Sequence, residues 1–270
     1  MKEYLGAKEK TQKTIIDGWI YSGDLYKLNE NGKTVTLIGR IKETINMIPS
    51  DVKSILNLGC GDGRVTNEIS NGFQIIGLDI DKMEIKSFIG PKVIGNIAFL
   101  PFKDCQFDLV LVTEVLEHLP QWIFLQSLKE ICRVTKKYIL ITVPFEESLA
   151  AQWVKCSKCG HVFHAWGHLR KFSLKNLEHL LPHTYLLRKN FLSPQGTKLP
   201  NWLYIIAQKF GNAWNYNPLD NPRCPKCGAL PLKTKGNVLG WFLIRIIWRL
   251  QKNWPLKKPI WVATLFCKNK

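Results

Sequence analysis

The sequence predicts a doubly wound, mainly parallel α/β sheet that carries a zinc-knuckle insertion. Two observations indicate the sheet: four short apolar runs are bounded by glycine or polar residues, and helical stretches alternate with them. A third observation indicates the insertion, because the segments Cys156–Gly160 and Cys224–Gly228 are both of the form C-x-x-C-G.

The central strands are expected at Ser54–Leu58, Gln74–Leu78, Phe107–Val112 and Tyr138–Val143. Continuous apolar runs of this length are typical of parallel strands that are buried on both faces. The elements around them follow from hydrophobic periodicity and capping residues. Helices are expected to begin near Arg64 and to cover Leu125–Val134 and Phe172–Leu181, and further strands are expected at Tyr185–Leu192 and Ile260–Cys267.

This pattern divides the chain into four predicted parts. They are an N-terminal arm or lid (1–50), a ligand-binding core (51–150), a cap (151–258) and the last core strand (259–270). The cap is expected to contain the cysteine pairs, a basic amphipathic segment, and a helix and strand at about 172–192 that belong to the core. The stretch between the last two strands, about 193–258, is too long for a hairpin loop and predicts a function or a small subdomain.

The composition limits the number of domains and the classes of partner. With 270 residues, the chain can form one α/β core and an appended element. Its net charge of +17 implies attraction to nucleic acid, an acidic lipid surface or a phosphorylated substrate. The polar start has no apolar segment of the kind that a secretory signal needs, and the paired cysteines fit reduced ligands, so we expect a cytoplasmic protein.

A glycine cluster follows the first central strand and precedes the expected helix. Its spacing is G-x-G-x-G from Gly59 to Gly63, and Arg64 stands where a dinucleotide fingerprint would have glycine. Asp79 ends the second strand, twenty residues after Gly59, where a carboxylate can accept both hydroxyls of a ribose. Together the loop and the aspartate predict a nucleoside site.

These segments resemble the class I methyltransferases, particularly the broad group related to ubiquinone-biosynthesis methyltransferases. The resemblance rests on ILNLGCGDGR (55–64), IIGLDID (75–81), residues 95–120 and, more loosely, GHLRKFSLKNLEHLL (167–181). It implies a Rossmann-like fold and S-adenosyl-L-methionine as methyl donor.

By the same resemblance, Gly59 and Gly61 approach the methionine part of the donor and Asp79 the ribose. Asn96 and Ile97 would lie at the adenine, and Asn57 would accept a hydrogen bond from the methionine ammonium. The family usually has acidic residues where Asn57 and Asn96 stand, which implies weaker donor binding or, in an adaptor, no turnover.

The acceptor side is predicted from a carboxylate and histidine cluster after the third strand. Glu114 and Glu117 lie one helical turn apart if the segment is helical, and His118 is the expected general base. Some small-RNA 2′-O-methyltransferases and ubiquinone-pathway O-methyltransferases have a similar E-x-x-E-H segment. That resemblance implies a site for Mg²⁺, with His168 as a further ligand. The alternative interpretation is a helix start with local capping roles.

The four paired cysteines, Cys156, Cys159, Cys224 and Cys227, predict one tetrahedral zinc site. Four thiolates leave no open coordination position, so the site is expected to be structural. It would tie the segment after the fourth strand to the insertion before the last strand.

The segment Val238–Leu250 is too short and too basic to span a bilayer. Arg245 and Arg249 lie one turn apart among tryptophans, which suits a helix at an anionic membrane surface, such as the inner membrane face. A helix packed on the sheet or on a second copy of the chain is the alternative.

The sequence therefore favours a methyltransferase that modifies an oxygen of a small molecule, a glycan or a lipid-linked acceptor. An RNA methyltransferase is one alternative, because of the basic charge and the zinc knuckles. A zinc-stabilised adaptor that binds the donor without turnover is the other.

Overall fold

The computed structural model describes residues 15–16, 19–22, 24–27, 35–69, 72–196, 198–214, 222–230, 236–253 and 258–269. The chain forms two compact units. The core unit comprises Arg40–Glu146, Leu169–Pro194 and Pro259–Lys270. The cysteine unit comprises Met1–Gly39, Glu147–His168 and Gln195–Lys258.

The strands and α-helices are numbered in chain order. The strands are β1 (Ile15–Ile16), β2 (Trp19–Ser22), β3 (Asp24–Lys27), β4 (Ser54–Leu58), β5 (Gln74–Asp79), β6 (Lys92–Ile94), β7 (Phe107–Thr113), β8 (Thr135–Pro144), β9 (Trp153–Lys155), β10 (Val162–His164), β11 (Thr184–Gly196) and β12 (Lys258–Lys268). The α-helices are α1 (Val35–Ile45), α2 (Gln121–Val134), α3 (Leu174–Glu178), α4 (Asn201–Gly211) and α5 (Val238–Asn253).

The core unit contains a seven-stranded sheet in the order β11-β12-β8-β7-β4-β5-β6. The four predicted central strands β4, β5, β7 and β8 are all present, and the pairs β5–β4, β4–β7 and β7–β8 are parallel. Strand β12 runs antiparallel to β8. The predicted mainly parallel α/β sheet is therefore confirmed.

Both faces of the sheet are covered, as the continuous apolar strands predict. Leu56 and Leu58 pack in one buried cluster, whereas Ile55, from the alternate position of the same strand, packs in another. Helix α2 contributes Leu128 and Ile131 to the first cluster. Burial on both faces explains why β4 lacks the alternating pattern of a half-exposed strand.

Other predicted elements differ in length. The helix expected near Arg64 is instead a 3₁₀ turn over Thr66–Glu68, and Gly63, just before it, has a φ of +83°. The helix expected over 172–181 is shorter, since α3 ends at Glu178, although Ser173 caps it in a capping box with Asn176.

The cysteine unit contains two small structures. Strands β9 and β10 form an antiparallel hairpin around the first cysteine pair. Helices α4 and α5 pack together through a small core that includes Leu199, Ala207 and Ile247. They come close because both have glycine at the crossing, where a side chain on Gly240 would overlap the backbone of Gly211.

The predicted N-terminal arm falls partly outside the described residues. Within it, β1, β2 and β3 form an antiparallel sheet of the cysteine unit, and α1 follows. The predicted lid role of residues 1–50 stays a prediction.

Candidate active site and cysteine cluster

The glycine loop lies at the carboxyl end of β4, where parallel sheets bind ligands. Gly59, Gly61 and Gly63 all have positive φ, at +66°, +50° and +83°. The N–H of Gly59 donates to the carbonyl of Leu78 at 2.7 Å, which fastens the loop to the end of β5. At Gly59 a side chain would also overlap Val115, so only glycine fits that position.

Asp79 faces this loop from the end of β5. Its Oδ2 accepts the N–H of Gly61 at 2.7 Å, and its Oδ1 accepts the N–H of Asp81 at 2.8 Å. These two bonds fix the orientation of the carboxylate. Because an ionised carboxylate has about four lone-pair positions, each oxygen can still accept a hydroxyl.

Asn57 lies beneath the loop and is 1% exposed. Its amide nitrogen donates to the Thr66 hydroxyl at 2.9 Å, while its buried Oδ1 has no hydrogen-bond partner in the described part of the chain. A buried acceptor without a partner costs stability, which a bound ligand that donates to it would recover.

The remaining predicted donor residues follow β6. The N–H of Gly95 donates to the carbonyl of Asp79 at 2.9 Å, which brings the chain after β6 to the end of β5. Asn96 uses its Oδ1 to accept the N–H of Ala98 at 2.9 Å, and Ile97 is buried. The predicted donor-binding residues thus lie along the carboxyl ends of neighbouring strands.

The surroundings of the loop are acidic. Burial raises the pKa of Glu84 above its usual value, and the charges of Asp81, Asp79 and Asp62 raise it further. Such a site favours a cationic ligand over a neutral one.

Glu114 does not share a helical face with Glu117, so that part of the sequence prediction is wrong. Glu114 has a φ of +55° and precedes a 3₁₀ turn over Leu116–His118. Oε2 of Glu114 accepts the Trp261 indole N–H at 2.7 Å and lies 3.5 Å from Nη1 of Arg40. Oε1 of Glu114 accepts the Thr142 hydroxyl at 3.1 Å. A carboxylate held in this way between β8, β12 and α1 is a poor ligand for Mg²⁺.

Glu117 and His118 both lie in the 3₁₀ turn, but Glu117 is fully buried and His118 is exposed. Arg170, which the sequence analysis did not single out, fastens this turn. Its guanidinium donates to the Leu116 carbonyl at 2.7 Å and stacks on the Phe124 ring at 3.7 Å from the centroid. Burial lowers the pKa of the Arg170 guanidinium, and the charge of Glu117 opposes this shift.

His168 belongs to the cysteine unit, where its Nδ1 lies 2.6 Å from Oε2 of Glu147. Its predicted convergence with Glu114, Glu117 and His118 stays a prediction. His164 lies on the other side of the same carboxylate, with its Nε2 3.4 Å from Oε1. No sequence motif marks Glu147, which is a single glutamate after a strand.

The pKa of Glu147 is about 2, although burial alone would raise it, because hydrogen bonds from His164 and His168 outweigh the burial. A depressed carboxylate pKa stabilises the fold above the ordinary value of 4.5. That contribution is lost as the pH falls from about 4.5 towards about 2.

The structure brings the four predicted cysteines together within the cysteine unit. Their sulfurs lie within 4.8 Å of one another, and the Cys156–Cys227 and Cys159–Cys224 pairs are each 3.6 Å apart. A tetrahedral zinc with Zn–S bonds of about 2.3 Å separates its sulfurs by about 3.8 Å. The spacing therefore fits one zinc ion.

The two cysteine turns have the same backbone geometry. In the first, the Gly160 N–H donates to the Cys156 carbonyl at 2.9 Å; in the second, the Gly228 N–H donates to the Cys224 carbonyl at 2.8 Å. Both glycines have positive φ. Hydrogen bonds from the backbone of Cys159 and Lys158 lower the pKa of Cys156 to about 6, whereas burial and the neighbouring thiols raise the pKa of Cys227 to about 11.

A cavity of about 580 Å³ lies elsewhere in the core unit. It opens at the amino end of β5, where Thr66, Phe73, Ile76 and Pro91 are among its lining residues. The glycine loop and Asp79 do not line it. It therefore does not belong to the candidate site.

Comparison with known proteins agrees with this geometry. Residues 56–140, just under a third of the chain, match the family model of a methyltransferase domain, and they contain the glycine loop, Asp79 and the 3₁₀ turn. These residues are similar to a methyltransferase domain. The match thus begins within β4 and ends within β8, while the cysteine unit lies outside the matched residues.

Solved structures share the fold at low sequence identity. A SAM-dependent methyltransferase from Archaeoglobus fulgidus aligns over 88% of this chain and 96% of its own, with a TM-score of 0.52 and 18% identity. The [4+2]-cyclase SpnF aligns over 97% and 90%, with a TM-score of 0.53 and 14% identity. Because a cyclase and a methyltransferase share this fold, the fold alone does not establish the reaction.

An uncharacterised protein of Methanocaldococcus jannaschii is 42% identical over 94 residues, which are 33% of this chain and 40% of that protein. The chain therefore spans less than half of that relative. None of the helices in the described ranges is long and apolar enough to cross a membrane.

Proposed function

We propose that this chain transfers a methyl group from S-adenosylmethionine to an oxygen of its acceptor. One observation carries the proposal: the loop-bound carboxylate of Asp79 and the unpartnered Oδ1 of Asn57 lie at adjacent strand ends of a methyltransferase core. S-adenosylmethionine supplies an electrophilic methyl group on a positively charged sulfur.

The residues present fit this donor. Asp79 would accept the ribose hydroxyls, Asn57 would accept a hydrogen bond from the ammonium, and Gly59 and Gly61 leave room for the methionine part. The donor carries a net positive charge and its demethylated product does not. The acidic groups around the loop would therefore favour the donor over the product.

The acceptor side of the core unit would be formed by Glu117 and His118. Methyl transfer to a hydroxyl needs the acceptor to be positioned and its proton removed, and an imidazole suits the second task. Glu114 would help to hold the turn that carries His118, through its contacts with Thr142 and Trp261. The proposed chemistry needs no Mg²⁺, and the Glu114 carboxylate that would bind the ion is already engaged.

The four-cysteine cluster would hold one structural zinc ion. The 3.6 Å sulfur separations and the matched backbone geometry of the two turns support this assignment. The ion would fix the Glu147–His168 segment, and with it His168, to the segment that precedes α5.

A lipid-linked acceptor is supported by the exposed face of α4 and α5. On α4, Trp202 and Phe210 are mostly exposed. On α5, Trp241 and Trp248 share a face with Arg245 and are also more than half exposed. Neither helix contains an acidic residue, so their surface would suit an anionic membrane better than a neutral one.

We expect the chain to bind vesicles of phosphatidylglycerol and phosphatidylcholine more tightly than vesicles of phosphatidylcholine alone. Replacing Trp241 and Trp248 with serine should weaken the binding about tenfold or more, because two apolar side chains no longer insert. Vesicle co-sedimentation measures this effect. Trp122→Ser is the matched control, because Trp122 is equally exposed on α2 of the core unit. Equal binding by the double variant and the control would contradict the membrane surface.

The acceptor class can be tested by incubating the chain with methyl-labelled S-adenosylmethionine and lipid, glycan or RNA fractions. Label in methyl esters, which base releases, or in methyl ethers, which base does not release, of the lipid or glycan fraction would support O-methylation of such an acceptor. Label in RNA would favour the RNA methyltransferase instead. Donor binding without transfer to any fraction would favour the adaptor.

A further inference from the structure

The two cysteine turns repeat one sequence pattern that extends beyond the metal ligands. Each has a basic residue, the first cysteine, any residue, a lysine, the second cysteine, a glycine, any residue and an aliphatic residue, as in KCSKCGHV (155–162) and RCPKCGAL (223–230). In the first turn the Cys156 N–H donates to the His161 carbonyl at 2.8 Å. In the second turn the Cys224 N–H donates to the Ala229 carbonyl at 2.9 Å. Residues at the same place in the two patterns therefore occupy equivalent positions.

Four of the repeated side chains lie at the surface. Lys158 and Lys226, which stand before the second cysteine of each turn, are exposed. Val162 and Leu230, which end the two patterns, have 37% and 45% of their surface exposed. The repeat therefore gives each turn one exposed positive charge and one exposed aliphatic side chain.

The basic residue that opens each pattern is held by contacts within the cysteine unit. Lys155 pairs with Val162 across the β9–β10 hairpin, and its Nζ lies 5.6 Å from the ring centroid of Trp214. Arg223 is exposed, and its Nη1 lies 3.4 Å from the Gly228 carbonyl oxygen. Because the four sulfurs lie within 4.8 Å of one another, the basic and aliphatic side chains of both turns belong to one small region of this unit.

Acidic residues are scarce in the sequence around the turns. The chain has 21 aspartates and glutamates, and only Glu178 and Asp220 follow residue 147. The acidic residues of the cysteine-unit segments 147–168 and 195–258 are Glu147, which is largely buried beside two histidines, and Asp220, which lies outside the described residues. A zinc ion with four thiolates would carry roughly two negative charges, and the four basic side chains of the turns exceed that number. The surface of the turns therefore attracts anions.

The first turn is anchored to α4, which belongs to the proposed membrane surface of the same unit. Ala150, three residues before β9, is fully buried. Its N–H donates to Oδ1 of Asn201 at 3.3 Å, and its carbonyl accepts the side-chain amide of Gln208 at 2.6 Å. These bonds join the hairpin of the first cysteine pair to two separate turns of α4.

We infer that the two cysteine turns bind the phosphate groups of anionic lipids at a membrane surface. The four basic side chains contact the phosphates, and Val162 and Leu230 reach the boundary of the acyl chains. This inference rests on the proposed lipid-linked acceptor, and it adds head-group binding to the apolar contacts of α4 and α5. Single-stranded RNA suits the turns less well, because its bases stack on aromatic side chains. The uncharged side chains that the turns repeat are aliphatic, and the second turn has Ala229 where the first has His161.

The charged contacts can be tested with Lys158→Gln and Lys226→Gln together in the full chain. We expect binding to vesicles of phosphatidylglycerol and phosphatidylcholine to weaken about thirtyfold, because each basic side chain near an anionic surface contributes about fivefold. The remaining binding should also depend less on salt. Lys103→Gln and Lys175→Gln together are the matched control, since they remove the same charge from exposed positions of the core unit and should bind vesicles as the native chain does. Native vesicle binding by the first double variant would overturn the inference.

The aliphatic contacts can be tested with Val162→Ser and Leu230→Ser together. We expect vesicle binding to weaken about fivefold or more while its salt dependence stays native, because serine removes apolar contact and leaves every charge in place. Elemental analysis should show native zinc content in both double variants, which shows that the turns remain folded. Native vesicle binding by the serine variant would show that the turns do not enter the lipid surface, against the inference.

Single-stranded RNA is the competing partner, and a fluorescent oligouridine is its probe. RNA binding that is lost in the Lys158→Gln, Lys226→Gln variant, together with native vesicle binding, would assign the turns to RNA and overturn the inference. Methyl transfer is measured separately with labelled donor. A chain that binds vesicles through the turns but methylates no fraction would contradict the proposed function alone. A chain that methylates an acceptor but does not bind anionic vesicles would contradict this inference alone.

Discussion

Replacing Cys224 with serine is expected to release the zinc ion and to destabilise the cysteine unit. Cys224 is buried and its sulfur lies 3.6 Å from that of Cys159, so a serine there removes one of four ligands from a closed site. Structural zinc contributes on the order of 10 kcal/mol to small metal domains, so the loss of one ligand should cost several kcal/mol. Elemental analysis should show about one zinc per native chain and less than half of that in the variant.

The matched control is Cys105→Ser, because Cys105 is an exposed thiol of the core unit. We expect this variant to keep its zinc and to unfold at the native temperature. Full zinc occupancy in Cys224→Ser, or native protein that contains no zinc and does not respond to a chelator, would contradict the assignment.

Replacing Gly59 with alanine is expected to disrupt the donor site and to lower the stability of the core unit. The positive φ costs a non-glycine residue about 1–2 kcal/mol, and the overlap with Val115 should add about 1–3 kcal/mol. Any relaxation must move the loop away from the end of β5, where its N–H groups hold Leu78 and Asp79. We therefore expect chemical denaturation to report a loss of about 2–5 kcal/mol, with donor binding strongly weakened.

Gly39→Ala is the matched control for this substitution. Gly39 lies within α1, and a side chain there would meet nothing within 4 Å. Alanine is favoured over glycine in a helix by about 1 kcal/mol, so the control should be as stable as the native chain or slightly more stable. Equal stability of the Gly59→Ala and Gly39→Ala variants would show that the loop tolerates a side chain, against this account.

The central strands could be predicted from sequence because burial on both faces leaves a continuous apolar run, as in Ser54–Leu58. The glycine loop and Asp79 could also be predicted, because local spacing places them at adjacent strand ends. The four cysteines could be assigned to one metal site for a different reason. Two matched C-x-x-C-G turns indicate a shared metal ion even when many residues separate them in the sequence.

Other features depend on contacts between distant residues, and local patterns do not reveal them. Glu114 looks like part of a helix with Glu117, but Thr142 and Trp261 bind its carboxylate and the chain turns before the 3₁₀ segment begins. Glu147 has no motif of its own and becomes notable only when His164 and His168 fold against it.

The central claim is that the chain binds S-adenosylmethionine through the glycine loop and Asp79. Calorimetric titration of the native chain and of Asp79→Ala tests it most directly, because the variant keeps the glycine loop and removes the ribose acceptor. We expect saturable binding by the native chain and an affinity about ten- to a hundredfold lower in the variant, which corresponds to a loss of about 1.5–3 kcal/mol for charge-assisted hydrogen bonds. No binding by the native chain, or equal affinity in the two proteins, would contradict the claim.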